Sequence, residues 1–418
     1  MTDLQEITGL VDEEINAKNT PTPAKKDYDV IVVGAGPAGC SAASFIAQKG
    51  LEVLLVDKAK FPRDKVCGDG FSASSLAVLE RVGALEVIEE MNPFKIDGIT
   101  VSSPNGTIMS ALNPSIKGLR DYGYVIPRKE FDYQLLKFVK GIPKVKVLES
   151  FYVKEMVYNG SNVCGVRSDD ETFMGKVIIG ADGVHSIIAK KLSLRNDNPK
   201  HRALAVRAYF ENVENLNHYL EIHYEESILP GYAWIFPTSE HSANVGVGVG
   251  TRFMDTKEIK TLFYRFLERN SYARKKLKNS QMIENSFKGC PLTFGSFPSK
   301  RSYRNVLLIG DAASFVDVLT GEGIYYALRS GEYAAQAIDE ILRKSNNVER
   351  VGTVYEKLWR KEFRWKEFYA GYLQQSLLNN KHVVNFNINR ASKRIKNAET
   401  LVGVIGHRMP KWKLFFNI

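Results

Sequence analysis

The sequence predicts an α/β protein in which a Rossmann-type nucleotide-binding domain is interleaved with a mixed β-sheet domain and followed by a helical region. Three observations carry this expectation. A β-branched run near the start of the chain ends in a glycine-rich turn. Two further strand–glycine segments lie far downstream, and strand-patterned sequence fills the space between them.

In chain order, residues 1–26 are polar, end in Thr20-Pro-Thr-Pro-Ala-Lys-Lys, and read as a flexible N-terminal tail. Tyr28–Val33 has the composition of a buried parallel strand. The turn Gly34-Ala35-Gly36-Pro37-Ala38-Gly39 follows, then a helix to about Lys49, then a strand at 51–56 that ends on Asp57 and Lys58. A loop at 61–71 contains Cys67-Gly68-Asp69-Gly70, and a helix spans 72–82. Residues 96–112 alternate as a hairpin around Pro104-Asn-Gly106. An extended piece at 124–127 leads into a helix at 129–140, and 145–180 reads as a meander. Strand patterns dominate 201–250, an amphipathic helix spans 256–269, and a buried strand at 305–309 precedes Gly310-Asp311. A helix is expected over 321–344, with basic helical sequence from about 350. The domain boundaries are therefore 27–100, 120–200 and 285–345 for nucleotide binding, 101–119 and 201–284 for the substrate, and 346–418 for the helical region.

The fingerprint has separable physical duties. Gly34 permits a tight turn, Gly36 lets backbone approach a pyrophosphate, and Gly39 lets helix and strand pack closely. The helix start offers free N–H groups and the positive end of its dipole to phosphates. Asp57 is placed to accept hydrogen bonds from a ribose and disfavours a 2′-phosphate by repulsion. A second glycine run, Gly246-Val-Gly248-Val-Gly250, lies inside a strand pattern with no helix behind it, and reads as a strand that another backbone approaches closely.

Composition narrows the class. With 44% hydrophobic and 25% charged residues, the 418-residue chain is an ordinary globular enzyme in make-up. The net charge of +10 is spread along the chain, and no nucleic-acid-binding motif accompanies it. Cysteines 40, 67, 164 and 290 form no C-x-x-C pair, so neither a zinc site nor a cysteine-ligated cluster is expected and no metal is assigned. No apolar run is long enough for a bilayer, which gives a cytoplasmic expectation. Residues 407–418, where Arg408, Lys411 and Lys413 alternate with Trp412, Leu414, Phe415 and Phe416, are expected either to make peripheral membrane contact or to fold back and close the helical domain with their aromatics in the core.

Four segments converge on one family. They are the fingerprint, Arg128-Lys-Glu-Phe131-Asp132, Gly180-Ala-Asp182-Gly183, and Gly310-Asp311 running into Thr320-Gly321-Glu322-Gly323-Ile324. Together they resemble the FAD fold shared by aromatic hydroxylases, squalene epoxidases and geranylgeranyl reductases. Lys65-Val-Cys67-Gly68-Asp69-Gly70 and Tyr232-Ala-Trp234-Ile-Phe236-Pro237 are similar to segments of the geranylgeranyl reductases in particular. The resemblance implies a Rossmann-type FAD-binding domain. Within it, Asp311 would contact the ribityl chain, Gly321–Ile324 would offer N–H groups to the flavin pyrimidine edge, Arg128 would contact FAD near the dinucleotide, and Val153 would lie beside adenine. Asp182 and Gly183 would support the fold near the cofactor. Tyr232, Trp234, Phe236 and Pro237 would meet the substrate. Val318 and Leu229 stand where many relatives have proline.

The chemistry so implied is reduction of isolated C=C bonds in a prenyl chain, geranylgeranyl or isoprenoid-quinone. Hydride would come from reduced flavin N5, with electrons from an external donor such as NAD(P)H or ferredoxin. A monooxygenase acting on an apolar or aromatic substrate is the alternative, since fold alone does not fix function. Alternation puts Tyr232, Trp234 and Phe236 on one strand face, either as a substrate wall or as sheet-packing core. Cys67, the candidate catalytic residue, either influences proton delivery or gating, or is a small residue suited to a tight loop. One FAD per chain is expected. Asp57→Ala and Asp311→Ala should each weaken FAD retention by about 1–3 kcal/mol, because a sugar hydroxyl loses its buried acceptor. Dissociation constants of the two variants check this, and unchanged values would move the site elsewhere.

Overall fold

The computed structural model describes residues 27–297, 299–345 and 347–414, so the expected tail at 1–26 lies outside the described residues. Two eight-stranded sheets and a three-stranded one organise the chain. In the first, Val145–Leu148, Val53–Val56, Asp27–Val33, Thr172–Gly180 and Val306–Leu308 run side by side and parallel. Their near-continuous Val, Ile and Leu content suits burial on both faces. The 145–180 meander expectation needs correction here. Val145–Leu148 joins the parallel sheet, and only Glu155–Asn159, Asn162–Arg167 and Thr172–Gly180 form antiparallel neighbours.

The register aligns the carboxyl ends of four strands. Val33 pairs with both Val56 and Gly180, and Gly180 pairs with Leu308. The fingerprint turn, Asp57, Asp182 and Gly310-Asp311 therefore emerge in one row, the position at which open α/β sheets bind ligands. The packing that holds this row leaves no space for side chains at two glycines. A Cβ on Gly34, where φ is +106°, would stand 2.3 Å from the Ala181 carbonyl oxygen, and one on Gly39 would stand 1.8 Å from the Gly34 oxygen. Helix Ile324–Lys344 lies against helix Pro37–Gln48, with Ser41 Oγ donating to the Leu328 carbonyl at 2.7 Å.

The helix expected from Gly321 begins instead at Ile324. Gly321 has φ of +71°, outside the right-handed helical region, so Gly321–Gly323 form a loop in front of the helix.

The second sheet runs Gln281–Met282, Arg202–Glu211, Ser242–Gly250, Tyr232–Pro237, Tyr219–His223, Gly98–Ser102 and Ile108–Leu112. Lys288–Thr293 also pairs with Arg202–Glu211, so this sheet reaches beyond residue 284, and its hairpin starts at Gly98. Alternation divides its faces. Ala233, Ile235, Val245 and Val247 pack against Leu262, Phe263 and Phe266 of helix Ile259–Arg269. Thr256–Glu258, expected within that helix, form a separate 3-10 turn. Tyr232, Trp234 and Phe236 point the other way. Helices Lys381–Ser392 and Ile395–Ile405 close the end of the sheet through Val384, Ile388 and Val402, packed with Ile99, Val101 and Met109. Among the described residues no helix is long and apolar enough to cross a membrane.

The glycine run at 246–250 is occupied differently from expectation. The Trp234 ring, not only a neighbouring backbone, fills the space that side chains would take. A Cβ on Gly246 would stand 2.1 Å from Trp234 Cζ2 and 2.5 Å from the Val206 carbonyl oxygen. The two residues are also register partners, so the indole lies across the glycine of the adjacent strand. Gly246→Ala should consequently cost about 1–3 kcal/mol of stability through overpacking. Denaturant titration measures it; a loss near zero would mean that the strand can move aside.

Candidate active site

A single cavity of about 560 Å³ joins the row of strand ends to the aromatic face of the second sheet. At the strand ends it is lined by Gly34, Gly36, Pro37, Ala38, Asp57 and Lys58. Arg128, Val153, Asp182, Asp311 and the Gly321–Ile324 segment continue the lining. Cys67, Gly68, Tyr232, Trp234 and Phe236 form its other side. Four expected residues stand outside the lining. Ala35 donates its N–H to Asp57 Oδ2 at 2.7 Å, and Gly39 packs on Gly34. Gly310 packs on Ala38, and Pro237 is buried at the end of its strand, outside the cavity lining.

The donors present suit a dinucleotide. The helix start at Gly36 carries no side-chain cap, which leaves its amide N–H groups for a ligand, whereas at the start after Gly323 the Glu322 carboxyl accepts the Tyr325 N–H. Nothing lies within 3.4 Å of a Cβ built on Gly36, in contrast to Gly34 and Gly39, so the cradle is open where phosphate would approach. Arg63, missed in the sequence, approaches it to 3.7 Å, and Lys65, read in the sequence only within the cysteine–glycine segment, lines the same cavity. Arg63 Nη1 binds Asp132 at 2.8 Å, and Lys65 Nζ lies 3.6 Å from Asp311 Oδ2. Arg128 is fixed by a two-point contact with Asp132, 2.7 and 2.8 Å. Asp182 caps the short helix behind it, accepting from Ser186 Oγ and the Ile187 N–H. His185 is exposed at the cavity edge.

Each aromatic residue of the row touches a loop. Tyr232 donates its hydroxyl to the Thr320 carbonyl, directly before Gly321. The Trp234 indole N–H is accepted by Asn244 Oδ1 at 2.9 Å. A Cβ on Gly68 would stand 3.1 Å from the Phe236 ring. The rings line the cavity and also seat its two loops.

The loop bearing Cys67 belongs to the first domain in sequence but is hydrogen-bonded to the second sheet. Asp64 pairs with the buried Arg207 at 2.7 Å. Asp69, fully buried, accepts from Tyr209 Oη at 2.6 Å, Asn244 Nδ2 at 2.7 Å and the Arg128 N–H at 3.2 Å. Burial pushes Asp69 up to about 6, with the Tyr209 and Asn244 hydrogen bonds opposing. Burial also raises the Cys67 thiol, which keeps its proton at neutral pH, and pushes the cavity carboxyl of Glu322 up to about 7. Glu322 Oε1 meanwhile accepts from the Tyr325 N–H at the helix start.

The segment after Ile405 folds back onto the body of the protein. Arg408 turns inward onto the carbonyls of Pro114, Arg120 and Tyr122, and Lys411 makes a buried ion pair with Asp317. Asp317 in turn accepts from the N–H groups of Leu319 and Thr320, while His407 Nε2 meets Thr320 Oγ1 at 2.7 Å. Two of the three cations assigned to membrane contact are therefore committed to the interior, which leaves Lys413. Trp412 remains exposed, and Phe415 and Phe416 lie outside the described residues.

The chain matches the family described as FAD binding domain over residues 27–357. It is 32% identical over 345 residues to digeranylgeranylglycerophospholipid reductase of Methanosarcina acetivorans, covering 80% of this chain and 81% of that one. It is 32% identical over 329 residues to menaquinone reductase of Mycobacterium tuberculosis, covering 74% and 76%. A solved structure of a geranylgeranyl bacteriochlorophyll reductase-like protein from Thermoplasma acidophilum superposes with a TM-score of 0.80 at 23% identity, over 93% of this chain and 96% of that one.

Asp69 gives a signed pH dependence. Because its folded pKa is raised from 3.8, its contribution to stability is complete below that value and is lost as pH rises through about 6. Between about pH 4 and about pH 7.5 the wild type should lose up to about 3 kcal/mol relative to Asp69→Asn. Unfolding free energies of both proteins across that range check it; parallel curves would refute the assignment.

Proposed function

The chain belongs to the geranylgeranyl reductase family of FAD-dependent oxidoreductases, and from that premise we propose that it reduces isolated C=C bonds in the prenyl chain of a lipid or quinone. The observation that carries this reading is the continuity of the cavity. Beyond Trp234 and Phe236 it extends past Leu220 and Ile222 to Ile96, Ile99 and Ile405, an apolar path suited to a hydrocarbon chain.

Asp57, Asp311 and the amides at the helix starts would hold FAD, which when bound would supply hydride. The rest falls to the protein. An isolated alkene has no carbonyl to accept charge, so its reduction develops positive character at carbon. The faces of Tyr232 and Trp234 favour such charge by roughly 0.5–2 kcal/mol each. Cys67 Sγ holds a proton beside that wall, and the apolar lining excludes water from the reacting carbons. One hydride and one proton convert the alkene to the saturated chain, and an external donor returns two electrons to the enzyme.

The test is anaerobic. With its flavin reduced, the enzyme should be reoxidised by geranylgeranyl lipids or prenyl quinones, with products gaining two hydrogens per double bond by mass. Trp234→Ala should retain flavin but lose most of this turnover. Absence of reoxidation by every prenyl compound, or oxygen uptake coupled to an oxygenated product, would replace the reading with the monooxygenase one.

A further inference from the structure

Asn244 is a fully buried amide on a strand otherwise made of Gly, Val, Ala and Ser. It stands in register with Tyr209 on one side and Phe236 on the other, on the face it shares with Gly246 and Gly248. Its oxygen accepts the Trp234 indole N–H at 2.9 Å. Its nitrogen donates to the Cys67 carbonyl at 2.8 Å and to Asp69 Oδ2 at 2.7 Å. The orientation of the amide has one solution, because an indole N–H only donates and a carbonyl only accepts. One side chain thus joins the substrate face to the loop that carries Cys67.

We propose that Asn244 is a positioning residue of the reaction: its amide sets the Cys67 loop against the Trp234 face and so fixes where the proton-bearing edge meets the double bond. The proposal rests on the prenyl-reductase reading and adds to it the device that registers the two sides of the cavity. Other side chains do not reproduce the pattern. Alanine makes none of the three bonds, and aspartate keeps the acceptor for Trp234 but sets a second carboxyl against Asp69. The charge of Asp69 belongs to the same device. Arg207 and Tyr209 face it from one strand, Asn244 from the next, Arg128 from its helix and Cys67 from its own loop. A proton on the Asp69 oxygen that faces the Asn244 N–H would oppose donor to donor and release the amide.

The FAD-loaded enzyme provides the test. Iodoacetamide labelling of Cys67, followed by peptide mass mapping, reads the loop without any substrate. Asn244→Ala should label about tenfold faster with FAD content unchanged, and should lower kcat more than it raises KM. Its acid limb of kcat should also move away from that of the wild type. Asn244→Asp alone should behave likewise, and adding Asp69→Asn, which restores one amide and one carboxyl to the pair, should bring labelling back to within about threefold of wild type. Wild-type labelling and an unmoved pH profile in Asn244→Ala would overturn the proposal, as would a double variant as reactive as the alanine one. If Asn244→Ala fails to fold, the swap and Trp234→Phe, which removes only the indole donor, carry the same comparison. Failure of the wild type on every prenyl compound sinks the substrate reading alone, whereas unchanged labelling sinks Asn244 alone.

Discussion

Everything in this molecule depends on four parallel strands ending at the same level. Hydrogen-bond register holds Val33, Val56, Gly180 and Leu308 abreast, and each strand then releases a segment that carries glycine or a carboxylate. A slip of one residue would turn every buried side chain of a strand to the opposite face, so the register is defended by the whole core. The close approach of Gly34 to Ala181 is a consequence: the turn has to pass beneath a neighbouring strand end, and any Cβ there would push the two apart.

The second sheet solves a different problem. It presents an aromatic row to the cavity and must also fix two loops that belong to the other domain. Tyr232 meets the loop before Gly321, while Trp234 and Phe236 meet the Cys67 loop. The same rings therefore act as lining and as abutment. Their rigidity comes from below, where glycines at 246 and 248 leave a floor flat enough for the indole.

What the sequence made legible was local. The fingerprint, its strand, its helix and Asp57 are read within one βαβ unit, and alternation alone places Tyr232, Trp234 and Phe236 on one face. What it concealed was long-range. Arg408 and Lys411 look like surface cations until Asp317 and the carbonyls near residue 120 are brought against them by folding. Gly246 reads as a weak strand residue until its partner strand supplies an indole. Asn244 had a faint signal, a lone amide in a run of Gly and Val, but its meaning required Asp69 and Cys67, which lie far away in the chain. The helix placed from Gly321 failed for a local reason: periodicity continues through the loop, and only the left-handed φ of Gly321 ends it.

The ion pair between Lys411 and Asp317 has a temporal side. Among the residues that shape the cavity, the fingerprint glycines leave the ribosome early, and Lys411 leaves after all the others. A nascent chain can thus assemble its parallel sheet while the loop at 317–323 still lacks the cation that neutralises its buried carboxylate. The carboxylate is expensive to bury alone. Synthesis therefore leaves this loop loose until Lys411 has been made and its segment has docked, after the strands of the parallel sheet are all available.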